Sequence, residues 1–466
     1  MKTRFAPSPT GFIHLGNART ALFNVLLAGN KQGCFLLRME DTDEERSKLE
    51  FAEALQTDLN WLGIYWQEGP EVGGEQAPYW QSQRSAIYNH YYEELIKNKQ
   101  AYPCFCSEEQ LALSRKLQRA RGLAPRYAGT CRSLTQAEIE KKLAAGLIPS
   151  LRFRIPDNTI IEFDDLVKGK QKYHSSDIGD FIIKRSNDGA SFMFCNAIDD
   201  ALMGITHVLR GEDHLTNTPR QVMIFQALSL SHPQYAHISL ILGADGAPLS
   251  KRNGSRSIKE LREMGFLPLA VVNYLARLGH YYEDNSFMDL KRLAQLFQES
   301  SLSKSPARYD ESQLIYWQKL AVQMLTEADF WHWVGPTIQQ IVPKNLQREF
   351  FMGMRANFTF PSEAEHWARI FFEKVSFEKE LQVLKEAGKE FFEIAENAFK
   401  NGINPQEVYS LLSNQLNVKG KQLFMPLRVA LTGEKHGPEM AVIYSLLNKE
   451  EICSRLRKAG EIELCH

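Results

Sequence analysis

The sequence has 466 residues, of which 44% are hydrophobic and 24% charged, as in ordinary globular proteins. Its net charge of −1 argues against a protein that coats nucleic acid non-specifically, but leaves room for a local basic face. No apolar run reaches the roughly 18–20 residues of a membrane span, and the seven cysteines fit a reducing compartment. We therefore expect a cytoplasmic protein of about two to four domains, without a signal peptide or a membrane segment.

The chain begins with a strand, a rigid turn and a helix. Residues 2–6 favour a short strand, and Pro7 and Pro9 fix φ in the turn that follows. The helix is indicated by an apolar stripe at helical spacing, formed by Ala18, Ala21, Leu22, Val25 and Leu26. Its start near Gly16 offers unpaired N–H groups to a phosphate, and the imidazole of His14 just ahead of it is placed to donate to phosphate oxygens.

A parallel α/β core is predicted from the order of the next elements. An apolar run at 34–39 is typical of a buried strand, and the carboxylate of Glu40 follows it directly. Helical patterns occupy 45–62 and 82–98. Alternation of strands and helices favours a doubly wound sheet, in which ligands bind at the carboxyl edge where Glu40 lies.

The sequence changes character between residues 104 and 194, where a basic helix and short alternating segments indicate an α+β insertion that splits the core. The core resumes over 195–255, with a helix at 216–229 and a strand at 236–242. From about residue 256 strand patterns nearly vanish, and helical patterns continue to the end.

A loop bounded by Gly and Pro follows the strand at 236–242 and carries Lys251. A mobile lysine there can hold the charge that develops as pyrophosphate leaves a triphosphate. Taken alone, the tetrapeptide Leu249-Ser250-Lys251-Arg252 is better explained as part of a solvated basic loop. Its significance comes from the first motif, more than two hundred residues earlier, because both lie at an edge of the predicted core.

Together the two motifs resemble the HIGH and KMSKS motifs of class I aminoacyl-tRNA synthetases. They occur here as His14-Leu15-Gly16-Asn17 and Pro248-Leu249-Ser250-Lys251-Arg252. Longer strings are similar to the glutamyl-tRNA synthetases of bacterial type, and the resemblance extends through nearly the whole chain. These strings are 4–11, 38–43, 210–214 and 426–433.

The resemblance implies a Rossmann-like catalytic core in two halves and three further parts. The implied ranges are 1–103 and 195–255 for the core, 104–194 for an acceptor-end-binding insertion, 256–315 for a stem-contact helical domain and 316–466 for a helical anticodon-binding domain.

Site residues follow from the same resemblance, which gives His14 and Lys251 a catalytic role in stabilising the adenylation transition state. The ATP-binding residues it implies are Pro7, Ser8, Thr10, Gly11, His14, Gly16, Asn17, Glu212, Leu242, Leu249, Ser250, Lys251 and Arg252. The glutamate-binding residues it implies are Arg4, Ser8, Glu40, Phe192, Asn196 and Arg210.

Among the glutamate-binding residues, Arg210 would pair with the side-chain carboxylate, for which a planar guanidinium is well suited. Glu40 would receive the ammonium group, although a surface ion pair with Arg38 is the alternative. Two positions depart from the family pattern: Phe192 stands where many relatives carry a tyrosine, and Pro248 replaces the first lysine of KMSKS.

Three cysteines in the insertion raise the question of a metal. Cys104, Cys106 and Cys131 resemble a zinc-binding knuckle of some relatives, with Ser133 where those relatives carry a histidine ligand. Tyr127 is the substitute we expect as fourth ligand of a Zn²⁺ ion. Three free cysteines are the alternative.

The activity implied is ATP- and Mg²⁺-dependent attachment of L-glutamate to tRNA-Glu, by a protein that is commonly a monomer in this family. Charging of tRNA-Gln, and a catalytically degenerate tRNA-binding protein, are the alternatives. The basic helix at 115–121 and the strand with Arg152 and Arg154 suit a contact to the acceptor end of tRNA, or are solvated faces.

Overall fold

The computed structural model describes residues 1–43, 45–249 and 256–462. The chain divides into two compact units, Met1–Glu263 with Pro268–Leu314, and Met264–Leu267 with Ile315–His466. The described strands all lie in the first unit. They are β1 (Lys2–Phe5), β2 (Cys34–Leu37), β3 (Ala101–Cys104), β4 (Ser150–Phe153), β5 (Ile160–Asp165), β6 (Gly169–His174), β7 (Phe181–Lys184), β8 (His207–Gly211), β9 (Gln234–Ile238), β10 (Ile241–Leu242) and β11 (Ala307–Arg308).

Helices connect these strands and build the rest of the chain. Those before residue 300 are α1 (Leu15–Asn30), α2 (Leu49–Trp61), α3 (Ser85–Lys97), α4 (Glu108–Ala120), α5 (Gln136–Ala144), α6 (Ser175–Ile178), α7 (Phe192–Leu202), α8 (Thr218–Ala227), α9 (Ile258–Glu263), α10 (Pro268–Arg277) and α11 (Leu290–Leu296). Those after it are α12 (Glu311–Met324), α13 (Glu327–Val334), α14 (Pro336–Ile341), α15 (Gln347–Met354), α16 (Pro361–Phe372), α17 (Leu381–Ala387), α18 (Lys389–Lys400), α19 (Pro405–Leu416), α20 (Lys421–Thr432), α21 (Met440–Leu446) and α22 (Lys449–Glu461). Within the described ranges, no helix has the length and apolar character needed to cross a bilayer.

Parallel strand pairs form the centre of the first unit. β1 pairs with β2 and β8 pairs with β9, both in parallel. The N–H of Thr206, just before β8, donates to the carbonyl of Lys2 in β1 at 2.9 Å. The inner residues of β2 and β8 are buried, as expected for parallel strands covered on both faces. The predicted parallel α/β core is confirmed.

The strand predicted at 236–242 is interrupted. β9 ends at Ile238, and β10 begins at Ile241 and pairs with β11 instead. Side chains take the backbone groups in between: Arg19 donates to the carbonyl of Ser239, and Glu212 accepts from the N–H of Leu240. Those groups therefore cannot extend the β9 ladder.

Residues 101–184 contribute a separate antiparallel sheet, with β4 between β3 and β7. Two other strands from this part of the chain, β5 and β6, join the core sheet, whose order is β6-β5-β9-β8. β5 reaches β9 through one parallel pairing, with Asp165 opposite Tyr235. This junction places a carboxylate inside the core, next to the residues described below.

The second unit is a helical assembly around aromatic and aliphatic side chains, among them Phe330, Phe350 and Leu427. The predicted helical C-terminal region is confirmed. A fully buried arginine, Arg455 in α22, crosses this core and donates to the carbonyls of Leu431 at 2.6 Å and Phe371 at 3.1 Å. It thereby provides hydrogen-bond donors to one carbonyl in the last turn of α20 and one in the last turn of α16, which have no partner within their own helices.

Replacing Arg455 by Met should lower the free energy of unfolding of the second unit by about 2–4 kcal/mol, because two buried carbonyls lose their donors. Urea unfolding followed by hydrogen exchange in α20 and α22 measures this. The control is Arg457→Met two residues later, which removes only the exposed ion pair with Glu396 and should leave stability unchanged. Equal effects of the two substitutions would contradict the role given to Arg455.

Candidate active site

A cavity of about 330 Å³ lies where β1, β2 and β8 end. Residues that follow or close these strands line it, as expected at the carboxyl edge of a parallel sheet. The predicted site residues that line it are Arg4, Pro7, Ser8, His14, Gly16, Asn17, Glu40, Phe192, Asn196, Arg210 and Leu249. Four predicted residues are not in its wall: Thr10, Gly11, Glu212 and Leu242. Ser250, Lys251 and Arg252 lie outside the described residues.

The first wall is the turn between β1 and α1. His14 is the N-cap of α1, and its Nδ1 accepts the N–H of Gly16 at 3.1 Å. A Cβ at Gly16 would come within 3.0 Å of the imidazole, so glycine allows the ring to lie against the helix start. The N–H of Glu40 donates to the carbonyl of Pro7 at 3.0 Å, which fixes the turn to the end of β2. The first turn of a helix therefore borders the cavity, with its N–H groups and positive dipole end.

A network of buried charges, called here the ladder, lies behind the cavity, and two of its members, Arg4 and Glu40, line the cavity wall. Asp200 in α7 accepts from Arg4 Nε at 3.1 Å and from Arg38 Nη1 at 2.8 Å. Arg38 also donates to Glu40 at 2.9 Å, and Asn196 donates to the same Glu40 oxygen at 2.5 Å. Arg38 and Glu40 are both buried, so the alternative of a surface ion pair is wrong.

The charges in this ladder shift one another's pKa. Burial alone would raise the pKa of Asp200, but Arg4 and Arg38 outweigh it and hold that pKa below its usual range. Burial raises the pKa of Glu40, and Arg38 offsets only part of this. A cationic ligand group beside Glu40 would favour its ionised form.

Arg210, at the end of β8, has a different environment. Its Nη2 donates to Gln221 at 2.7 Å and to Thr218 at 2.8 Å, and its Nε lies 3.2 Å from Nε2 of His237. Its Nη1 is buried and has no hydrogen-bond partner among the described residues. No described carboxylate forms an ion pair with it, and burial lowers its pKa to about 10. A buried guanidinium in the wall of a cavity, with one donor unused, is suited to a carboxylate ligand.

Sequence reasoning missed the buried carboxylates of α7, the helix that also carries Phe192 and Asn196 of the cavity wall. Asp199 accepts from Arg84 at 2.7 Å, from Gln81 at 2.8 Å and from Tyr88 at 2.7 Å. Asp199 and Asp200 are consecutive carboxylates within the apolar helix α7, and that contradiction of helix amphipathicity is the signal that could have identified them. In the same helix Phe192 lies with its ring 5.2 Å from that of His214, centroid to centroid.

A second cluster lies in the insertion. The Sγ atoms of Cys104, Cys106 and Cys131 all lie within 4.8 Å of one another. The hydroxyl of Tyr127 is 3.4 Å from Cys104 Sγ and 3.5 Å from Cys106 Sγ. A tetrahedral Zn²⁺ with ligand bonds of about 2.3 Å would hold its sulfurs about 3.8 Å apart. Cys106 and Cys131 are 3.7 Å apart, so the four side chains fit such an ion.

Replacing Asp200 by Asn should lower the free energy of unfolding of the first unit by about 3–5 kcal/mol, because Arg4 and Arg38 would be left buried without a full counter-charge. Hydrogen exchange of the α7 amides across a urea series measures the change. Asp188→Asn is the control, since it removes an exposed pair with Lys184 at a left-handed position where Asn is equally tolerated. An Asp200→Asn protein as stable as this control would contradict the ladder's role.

Comparisons with known proteins identify the family of this chain. Residues 1–316 match the family described as tRNA synthetases class I (E and Q), catalytic domain, and residues 345–460 match an anticodon binding domain. The glutamate–tRNA ligase 2 of Coxiella burnetii (strain RSA 331 / Henzerling II) is 56% identical, over 98% of this chain and 99% of its own length. That of Nitrosococcus oceani is 51% identical, over 98% of both chains.

A solved structure gives the same result. The crystal structure of a glutamate tRNA ligase from Elizabethkingia meningosepticum in complex with its amino acid superimposes with a TM-score of 0.88, at 29% identity over 99% of both chains. The resemblance inferred from the two motifs is confirmed. The chain therefore belongs to the class I tRNA synthetases, in the group of the glutamate–tRNA ligases.

Proposed function

We propose that this protein is an ATP-dependent ligase that attaches L-glutamate to tRNA-Glu. The α-carboxylate of glutamate attacks the α-phosphate of ATP, which enters as its Mg²⁺ complex, and pyrophosphate leaves. The acyl group of the glutamyl-adenylate then passes to the 3′-terminal adenosine of the tRNA. The observation that carries the proposal is the unused donor of the buried Arg210 in the wall of the cavity.

Glutamate recognition is divided between the two ends of the substrate. Arg210 takes the side-chain carboxylate, and glutamine would bind more weakly there because it has no second anionic oxygen. Glu40 takes the ammonium group, and its buried, hydrogen-bonded position supports that role. Arg4, whose guanidinium is held against Asp200, and Ser8 complete this subsite.

Activation of the amino acid rests on positioning and on charge stabilisation, without a covalent enzyme intermediate. The start of α1, with His14 and Gly16, is suited to phosphate oxygens. Lys251 in its Gly- and Pro-bounded loop supplies the charge that stabilises the departing pyrophosphate. Pro248, in place of a lysine, makes the loop stiffer and less charged. Phe192, in place of a tyrosine, offers the substrate one hydroxyl fewer.

The tRNA would contact three parts of the chain. The exposed basic surface of α4 suits the acceptor end, because its cations can pair with phosphates, and phosphate contacts position a nucleic acid without reading its sequence. The expected contact through Arg152 in β4 is wrong, because that side chain is buried and donates to the carbonyl of Asp180. The helical domain over 256–315 would contact the stem, and the second unit would receive the anticodon. We further propose that the protein acts as a cytoplasmic monomer.

Aminoacylation with labelled glutamate tests the proposed function. Arg210→Ala should lower kcat/KM for glutamate about 100-fold through the loss of charge-assisted hydrogen bonds. Lys251→Ala should lower kcat by about 10²–10³, as expected when one donor to a transition-state anion is removed. Lys291→Ala, exposed on α11, is the control and should leave both constants unchanged. Wild-type protein that charges neither tRNA-Glu nor tRNA-Gln would refute the proposal, and charging of tRNA-Gln would reassign the tRNA.

We also propose that Cys104, Cys106, Cys131 and Tyr127 hold one structural Zn²⁺ ion. Bound zinc would cross-link the loops around β3 and so stabilise the insertion.

Metal analysis should find about one zinc per chain in chelator-washed wild-type protein. Cys106→Ser should lose the metal, whereas Cys34→Ser, a cysteine outside the cluster, should retain it. Tyr127→Phe should weaken zinc binding about tenfold or more, since it deletes one ligand. Wild-type protein with no stoichiometric metal would leave the alternative of three free cysteines.

A further inference from the structure

The polar groups around Arg210 form one continuous chain of hydrogen bonds between two carboxylates. On one side Arg210 Nη2 donates to Gln221, whose Nε2 donates to Asn196 Oδ1 at 2.7 Å. Asn196 in turn donates to Glu40. On the other side Arg210 Nε approaches His237, whose Nδ1 lies 2.6 Å from Asp165 Oδ2.

The two end groups determine the direction of every bond in this chain. A carboxylate only accepts, so the amide of Asn196 must turn its NH₂ to Glu40 and its oxygen to Gln221. Gln221 must then turn its own oxygen to Arg210. At the other end, Asp165 also accepts backbone N–H groups, from Val167 at 3.0 Å and Lys168 at 2.7 Å. It therefore requires the imidazole proton on Nδ1 of His237, and leaves Nε2 as an acceptor that faces both Arg210 Nε and the hydroxyl of Thr218, which lies at 3.0 Å.

All bonds thus point away from Arg210, and each of the three acceptors around it already faces one of its N–H groups. Gln221 Oε1, Thr218 Oγ1 and His237 Nε2 each face one of its N–H groups. What remains for a ligand at this position is Nη1, a donor. A carboxylate is satisfied by that arrangement, whereas the NH₂ group of a carboxamide needs an acceptor and would be left buried and unpaired.

We propose that Asp165 and His237 are positioning residues that set the discrimination between glutamate and glutamine, by holding Arg210 in one orientation with every neighbouring acceptor in use. This inference rests on the proposed function and adds two residues to it. Both are buried, and neither is a wall residue of the cavity. Asp165 acts through His237, and His237 acts through Arg210. They lie on β5 and β9, which are joined by the pairing of Asp165 with Tyr235.

Two substitutions at His237 separate positioning from packing. Asn can keep the hydrogen bond to Asp165 but provides no acceptor at the position of Nε2. Gln can place its Oε1 near that position and restore an acceptor for Arg210. We expect His237→Asn to raise KM for glutamate about tenfold, with a smaller change in kcat, and to lower the ratio of glutamate to glutamine charging at least about tenfold. His237→Gln should stay within about threefold of wild type in both.

Charging of the same purified tRNA with labelled glutamate and labelled glutamine gives these constants. His280→Asn is the matched control, because His280 is also buried in the first unit and lies outside the chain of hydrogen bonds. It should leave the ratio unchanged. Thermal unfolding of each variant shows whether it folds.

If His237→Asn fails to fold, Asp165→Asn provides the second measurement. An amide there can donate to Nδ1, which moves the imidazole proton to Nε2 and sets it against the Nε–H of Arg210. The charging ratio should fall as for His237→Asn. A ratio within threefold of wild type in folded His237→Asn or Asp165→Asn protein, or equal losses in His237→Asn and His237→Gln, would overturn the positioning role. Absence of glutamylation by the wild type would instead overturn the proposed function.

Discussion

The buried pairing of Asp200 with Arg4 and Arg38 is the constraint on which the site depends. Arg4 and Asp200 are 196 positions apart in the sequence, and Arg38 directly follows β2. A charge without a partner in this interior would cost several kcal/mol, so the three segments stabilise the fold only when they meet correctly. The same contact sets Arg4 and Glu40 at the cavity. One network therefore holds three segments of the first unit together and places two side chains of the site.

Arg210 shows the opposite use of a buried cation. Its hydrogen bonds go to neutral acceptors, and no described carboxylate neutralises it. The nearest acid in its chain of hydrogen bonds on the β9 side, Asp165, is separated from it by an imidazole. Burial of an uncompensated charge weakens the fold and strengthens the attraction for an anion in the same dielectric. The paired charges around Asp200 offset the free-energy cost of burying Arg210 without a carboxylate partner.

Much of the fold could be predicted, because buried parallel strands are visible as apolar runs and the motifs mark where they end. The expected glutamate-binding arginines and carboxylate came from resemblance to a family, and the structure brings eleven of the predicted site residues to one cavity. The position of β5 could not be predicted, because a single pairing at Asp165 joins it to the core. Asp199 and Asp200 stand out in the sequence as two carboxylates in an apolar helix, but their partners could not be predicted, since Arg38 and Arg84 are distant in the sequence.

The direction of the hydrogen bonds around Arg210 cannot be obtained from the sequence pattern or from any single contact. Pattern analysis can suggest that an arginine binds a carboxylate, but an arginine beside a free acceptor would also bind a carboxamide. Only the full chain from Glu40 to Asp165 shows that the acceptors are occupied and that a donor remains. Selectivity for an acid over its amide is thus a property of the buried network, because the network decides which kind of group the cavity leaves unsatisfied.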